Sequence, residues 1–113
     1  MTKADREATK ALLRDYPRLC RTITVYQAKE SLTKLEVQVL LESKKQVEEM
    51  NAAFELILDE EVKDIIKHRY VKARKHKLTI ATYRATSSEA TINRRIDVGV
   101  ESIAECLKLA GII

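Results

Sequence analysis

The chain has 113 residues, a net charge of +4, 34% charged and 4% aromatic side chains, and only two Gly and one Pro. That length allows one domain, or a small domain with a helical arm, and the composition favours helices over a sandwich or barrel. No apolar stretch approaches the roughly 18 residues of a membrane span, and MTKADREATK lacks the apolar core of a secretory signal.

A first helix is expected over about residues 3–14, with Ala8, Ala11 and Leu12 as a weak apolar face. Tyr16-Pro17 should end it, because the residue before proline is pushed out of helical geometry. Residues 18–31 are ambiguous: RTITVYQ alternates like a strand, yet a lone strand has nothing to pair with, so a short helix or turn is expected. Thr33-Lys34-Leu35-Glu36 has the T-x-x-E form of a capping box and opens a long helix to about Leu58. Leu40, Val47, Met50, Phe54 and Ile57 recur as one stripe along it. The stripe suits packing within the chain or against a second copy, as a homodimer or higher oligomer.

Asp59-Glu60-Glu61 opens the next helix, its acids suited to the positive N-terminal end, with Val62, Ile65, Ile66, Tyr70 and Ala73 on one face. A basic connector, Arg74 to Lys77, follows. Residues 65–95 hold nine Lys or Arg and one acid, Glu89, so this stretch carries +8 and the remainder −4. Such asymmetry describes a surface that attracts a polyanion at one end of the molecule.

A short helix is then expected over about Thr79 to Ala85, and Thr86-Ser87-Ser88-Glu89 supplies a polar turn with a second T-x-x-E box. The last helix should run from about Ser88 to Leu109, stopped by Gly111. At 100° per residue Ile92, Ile96, Ile103 and Leu107 face the core. The opposite side presents Ala90, Arg94, Asp97 and Glu101, flanked by Thr91 and Asn93. Small, amide and guanidinium side chains are the types that read base edges in a major groove. The expected architecture is all-α, with an N-terminal helical region over 1–58 and a helix-turn-helix region over 59–113. Double-stranded DNA is the expected partner. The candidate contact set is Lys75, Lys77 and Arg84 for phosphates, and Ser88, Glu89, Ala90, Thr91, Asn93 and Arg94 at the reading end. Arg95, nearer the core edge, either meets a phosphate or bonds a helix terminus.

Neither Cys20 and Cys106 nor His68 and His76 have metal-ligand spacing, so each cysteine is expected to be a small buried apolar residue. Tyr70 and Tyr83 lie on apolar faces and are expected in the core. With no Gly-rich phosphate loop and no nucleophile with a base, no enzymatic activity, cofactor or membrane partner is expected, and the location expected is cytoplasmic.

The order of elements resembles the RinA/ArpU group of phage transcriptional regulators. It comprises a long helix, a D-E-E-initiated helix ending in H-R-Y, a basic loop, L-T-I-A, a turn, S-E-A-T-I-N-R-R-I and a last helix with E-S-I-A-E. The likeness covers about residues 45–109. It departs from a usual helix-turn-helix in having Thr86 where glycine is common and Ser87 where an apolar residue follows. The resemblance implies a C-terminal half similar to region four of sigma factors. It also implies a small activator of late phage genes in a bacterial host, with RNA polymerase as a further partner. Two alternatives stand beside it: the DNA-recognition subunit of a phage packaging machine, and a helical protein-interaction adaptor.

Overall fold

The computed structural model describes residues 1–113, in five α-helices and no strand: α1 (Lys3–Ala28), α2 (Lys34–Glu55), α3 (Glu60–Ile66), α4 (His76–Tyr83) and α5 (Glu89–Leu109). A π-helical turn, Lys67–Val71, extends α3. The chain is all-α, as expected. No helix is long and apolar enough to cross a membrane.

Helices α1 and α2 form an antiparallel hairpin, since Tyr16 meets Asn51 and Phe54 while Lys29 pairs with Glu36 beside the connector. Both open on reciprocal capping boxes: Thr2 with Asp5, and Thr33 with Glu36, the latter as expected. The expected stop at Pro17 does not occur, and α1 continues for 26 residues. Pro17 has no N–H to give the Leu13 carbonyl, a loss of about 3 kcal/mol in an isolated helix. Packing on both sides of it overrides that loss. The Tyr16 ring meets Phe54 edge-on at 5.6 Å and its hydroxyl donates to Asn51 at 2.6 Å, while Leu13 and Leu19 are buried. Residues 18–28 are therefore helical. The apparent strand alternation came from threonines, and Thr22 and Thr24 donate to the carbonyls four residues back, Arg18 and Cys20. The buried face of α1 is Thr9, Leu13 and Leu19; Ala8 and Ala11 are exposed and Leu12 is half-buried.

One core of 16 residues runs through every element, from Leu13 and Leu19 through Met50, Phe54 and Ile57 to Ile92, Ile96, Ile103 and Leu107. Of the α2 stripe, Met50, Phe54 and Ile57 are buried, whereas Leu40 and Val47 are half-buried. The boundary expected near residue 58 lies in the loop between α2 and α3, and the core crosses it. The molecule measures 50 × 27 × 22 Å, with a radius of gyration of 15.3 Å. A compact chain of about 100 residues has about 13 Å, so the hairpin projects as an arm.

Helix α3 starts at Asp59, whose carboxylate accepts the Glu61 and Val62 amides, and it buries Val62, Ile65 and Ile66. It lies unusually close to α5. A Cβ placed on Gly99 would stand 2.7 Å from Ile66 Cδ1 and 3.1 Å from Val62 Cγ1. Gly99 thus sets the spacing of the two backbones. Ala73 does not extend the α3 face as expected. It is exposed with φ 52°, a left-handed turn that ends the helical run and redirects the chain into α4. Helix α5 closes at Gly111 (φ 74°), with the Ile112 amide donating to Leu107 and the Gly111 amide to Lys108. That double bond pattern is a Schellman end.

Candidate nucleic-acid interface

The basic stretch divides into cations that hold the fold and cations that hold nothing. Lys63 and Lys67 both bond Glu55, and these bonds, Lys67 first, keep its carboxyl below the usual carboxylate range. Arg69 donates to the Arg74 carbonyl at 3.2 Å and lies over the Tyr70 ring at 5.0 Å. By contrast Lys72, Arg74, Lys75, Lys77, Arg84 and Arg94 are exposed, and none takes part in an ion pair.

Helix α4 and its connector position most of these charges. Lys75 is the residue before the helix, Lys77 lies in its first turn, and Arg84 is its C-cap. Lys77, Arg84, His76 and Glu89, with Ile80 and Ala81 as floor, line an open groove of about 370 Å³ between α4 and the start of α5. Lys75 and Lys77 flank an apolar surface made by Leu78 and Ala81. The N-terminus of α4 has no side-chain cap.

His68 pins α4 to the π-helical turn. Its Nδ1 lies 2.9 Å from the Thr79 hydroxyl, its Nε2 3.5 Å from the Thr82 hydroxyl, and its ring meets Tyr83 edge-on at 5.6 Å. Thr82 spends its proton on the Leu78 carbonyl, so towards His68 it can only accept. Nε2 then carries the hydrogen, and Nδ1 accepts from the fully buried Thr79. Protonation of His68 would turn Nδ1 into a donor and leave the proton of that buried hydroxyl without its acceptor. Burial, together with Lys72 and Arg74, holds the imidazole pKa below its ordinary value of 6.5.

The turn into α5 departs from the expected box. Ser88, not Thr86, is the N-cap: its Oγ accepts the Thr91 amide at 3.2 Å and donates to the Thr91 hydroxyl at 2.9 Å. Thr86 instead sits within the turn, its amide donating to the Tyr83 carbonyl. Arg95 braces this turn, donating to Ser87 Oγ at 2.7 Å and pairing with Glu61 at 2.6 Å. Glu61 and Ser87 were not readable as its partners, because sequence spacing does not report a contact between α3 and the turn.

On α5 itself Glu89, Ala90 and Arg94 are exposed, and Thr91 and Asn93 are half-buried. Arg94 does not share the groove of Lys77 and Arg84. It opens on a neighbouring surface with Asp97, Glu101 and Glu105. Lys72, Arg74 and His76 join the exposed basic surface although the candidate set omitted them; their place in the KARKHK run was the available signal. Tyr70 is buried, and Tyr83 is half-buried with its hydroxyl donating to the Asp64 carbonyl at 3.2 Å. Burial raises the pKa of both phenols. Cys20 and Cys106 are half-buried free thiols, less covered than expected, and no group of His, Cys, Asp and Glu is placed to hold a metal ion.

No family model, curated protein or solved structure matches the chain.

Proposed function

We propose that the chain is a sequence-specific DNA-binding transcriptional regulator, with α4, the Ser88 turn and α5 acting as its helix-turn-helix. The observation that carries this reading is the run of exposed cations from Lys72 to Arg94 without a carboxylate partner. A surface that leaves its cations unneutralised in this way attracts a polyanion. In the proposal Lys72, Arg74, Lys75, Lys77 and Arg84 meet phosphates, while Ala90, Thr91, Asn93 and Arg94 face base edges. Ser88 and Arg95 set the angle of the reading helix. The acids Asp97 and Glu105 lie one to three turns further along α5 and keep its later part off the duplex. The resemblance of residues 45–109 to the phage regulators adds a role at late-gene promoters with RNA polymerase as second partner.

The test is fluorescence anisotropy on duplexes recovered by selection from random DNA, across a salt series. The affinity should fall with a log–log slope of about −0.9 for each phosphate neutralised. Arg94→Ala should cost about 1–3 kcal/mol on the selected site and little on random DNA, whereas Lys77→Ala should weaken both alike. Binding that ignores salt, or an absence of binding, sinks the reading.

A further inference from the structure

Two further surfaces are left without a partner, one bordering the basic region at Arg94 and one on the arm, and they complement one another. The first is an apolar groove of about 230 Å³ where the α2–α3 loop meets α5, lined by Leu56, Ile57, Leu58, Val62 and Val98. Leu58 is 95% exposed, Leu56 63% and Val98 53%, a cluster of large apolar side chains that a monomer rarely leaves in water. Its rim is acidic. Asp59 lines the groove, and the adjoining surface shares Val98 and Ser102 with it and adds Asp97 and Glu105, with Arg94 the one cation there. None of these three acids has an ion-pair partner.

The second surface lies on the arm. Val37 and Leu41 are four residues apart on α2, 40% and 61% exposed, and share one side of the helix. Lys34, Lys44 and Lys45 surround them, all exposed and none in an ion pair. One face is apolar with acids in excess around it; the other is apolar with lysines in excess around it, Glu42 beside Leu41 being the acid among them.

We infer that the arm of one copy docks its Val37–Leu41 strip into the Leu56–Leu58–Val98 groove of a second copy. The two faces cannot meet within one chain. Leu41 and Leu56 belong to the same helix and its C-cap, about 22 Å apart along the axis at 1.5 Å per residue. Each copy offers one strip and one groove, so the contact is either made twice around a two-fold axis, closing a dimer, or repeated head to tail along a series of copies. The contact engages few side chains on each copy, so the interface is a weak one. This inference does not rest on the DNA-binding reading.

Sedimentation velocity of the full chain, without DNA, tests it. The weight-average mass should climb above that of the monomer as concentration rises into the high micromolar range, levelling at two copies where the contact closes and passing it where it runs on, and less steeply at high salt. Leu41→Asp and Leu58→Asp should each remain monomeric, since each lacks one face. Their equimolar mixture should form a one-to-one dimer and nothing larger, because one good strip and one good groove survive between them. Circular dichroism checks that both variants keep their helices; Val37→Asp with Val98→Asp is the second pair if one does not. A monomeric wild type, single variants that associate as the wild type does, or a mixture of folded variants that stays monomeric would each overturn the inference.

Discussion

In the hairpin both helices open on reciprocal capping boxes, and its cations are mixed: Arg18 and Lys29 each have a carboxylate partner, Lys34, Lys44 and Lys45 have none. Between Val71 and Arg94 no cation has one, the backbone passes from a π-helical turn through a left-handed Ala73, and α4 begins uncapped. The hairpin breaks one local rule, at Pro17 inside α1, whereas the C-terminal lobe breaks several within a short stretch. Departures of that kind collect where a surface serves something other than stability.

The largest expected effect tests the charge contrast directly. Lys75→Glu with Lys77→Glu should weaken DNA binding about 100-fold and flatten the salt slope by about two units. Arg18→Glu with Arg21→Glu makes the same change of charge on the arm and should leave binding nearly unchanged. Equal losses from both pairs would mean that overall charge, not its location, governs binding.

The next effect concerns the lobe's packing. Gly99→Ala gains helix propensity of about 1 kcal/mol but drives a methyl into Ile66, an overpacking cost of about 1–3 kcal/mol. The net change in urea unfolding should be destabilising by about 1 kcal/mol or slightly more. An alanine introduced at exposed Gln38 of α2 should be neutral within about 0.5 kcal/mol.

Much of the lobe was readable before the structure because α5 obeys a helical period. Ile92, Ile96, Ile103 and Leu107 are buried as their spacing requires, and the start at Ser88 and the stop at Gly111 are local signals. What escaped was non-local. Pro17 ends an isolated helix, but Phe54 and Asn51, more than thirty residues away, hold Tyr16 in place. The threonines of 18–28 alternate like a strand while bonding their own helix. Ala73 fits the α3 face by spacing alone, and nothing in its identity announces a left-handed turn. For the candidate site, the cations were legible as a run; their division into free and engaged depended on where Glu55 and Glu61 fall in space.

A smaller effect is pH-dependent. His68 resists protonation in the folded state, so the unfolded chain binds its proton first as pH falls through the ordinary value of 6.5. The contribution is complete above that value and is lost below it. The urea midpoint should therefore drop on acidification through this range, and His68→Asn should remove that part of the slope. A midpoint unaffected by His68 replacement would show that α4 is held elsewhere. Smallest is Ala73→Gly, which relieves a left-handed alanine and should stabilise by about 0.5–1 kcal/mol after the added freedom of the unfolded chain is counted.

Between Leu19 and Met50 the chain adds no residue to the central core, although it spans the whole outer part of the hairpin. The reach of the molecule is therefore decoupled from what keeps it folded. Matched excision of two helical turns from each strand of the hairpin would shorten it by about 11 Å and leave the base intact. The connector Lys29–Thr33 becomes the natural graft point for a fluorophore or an inserted module.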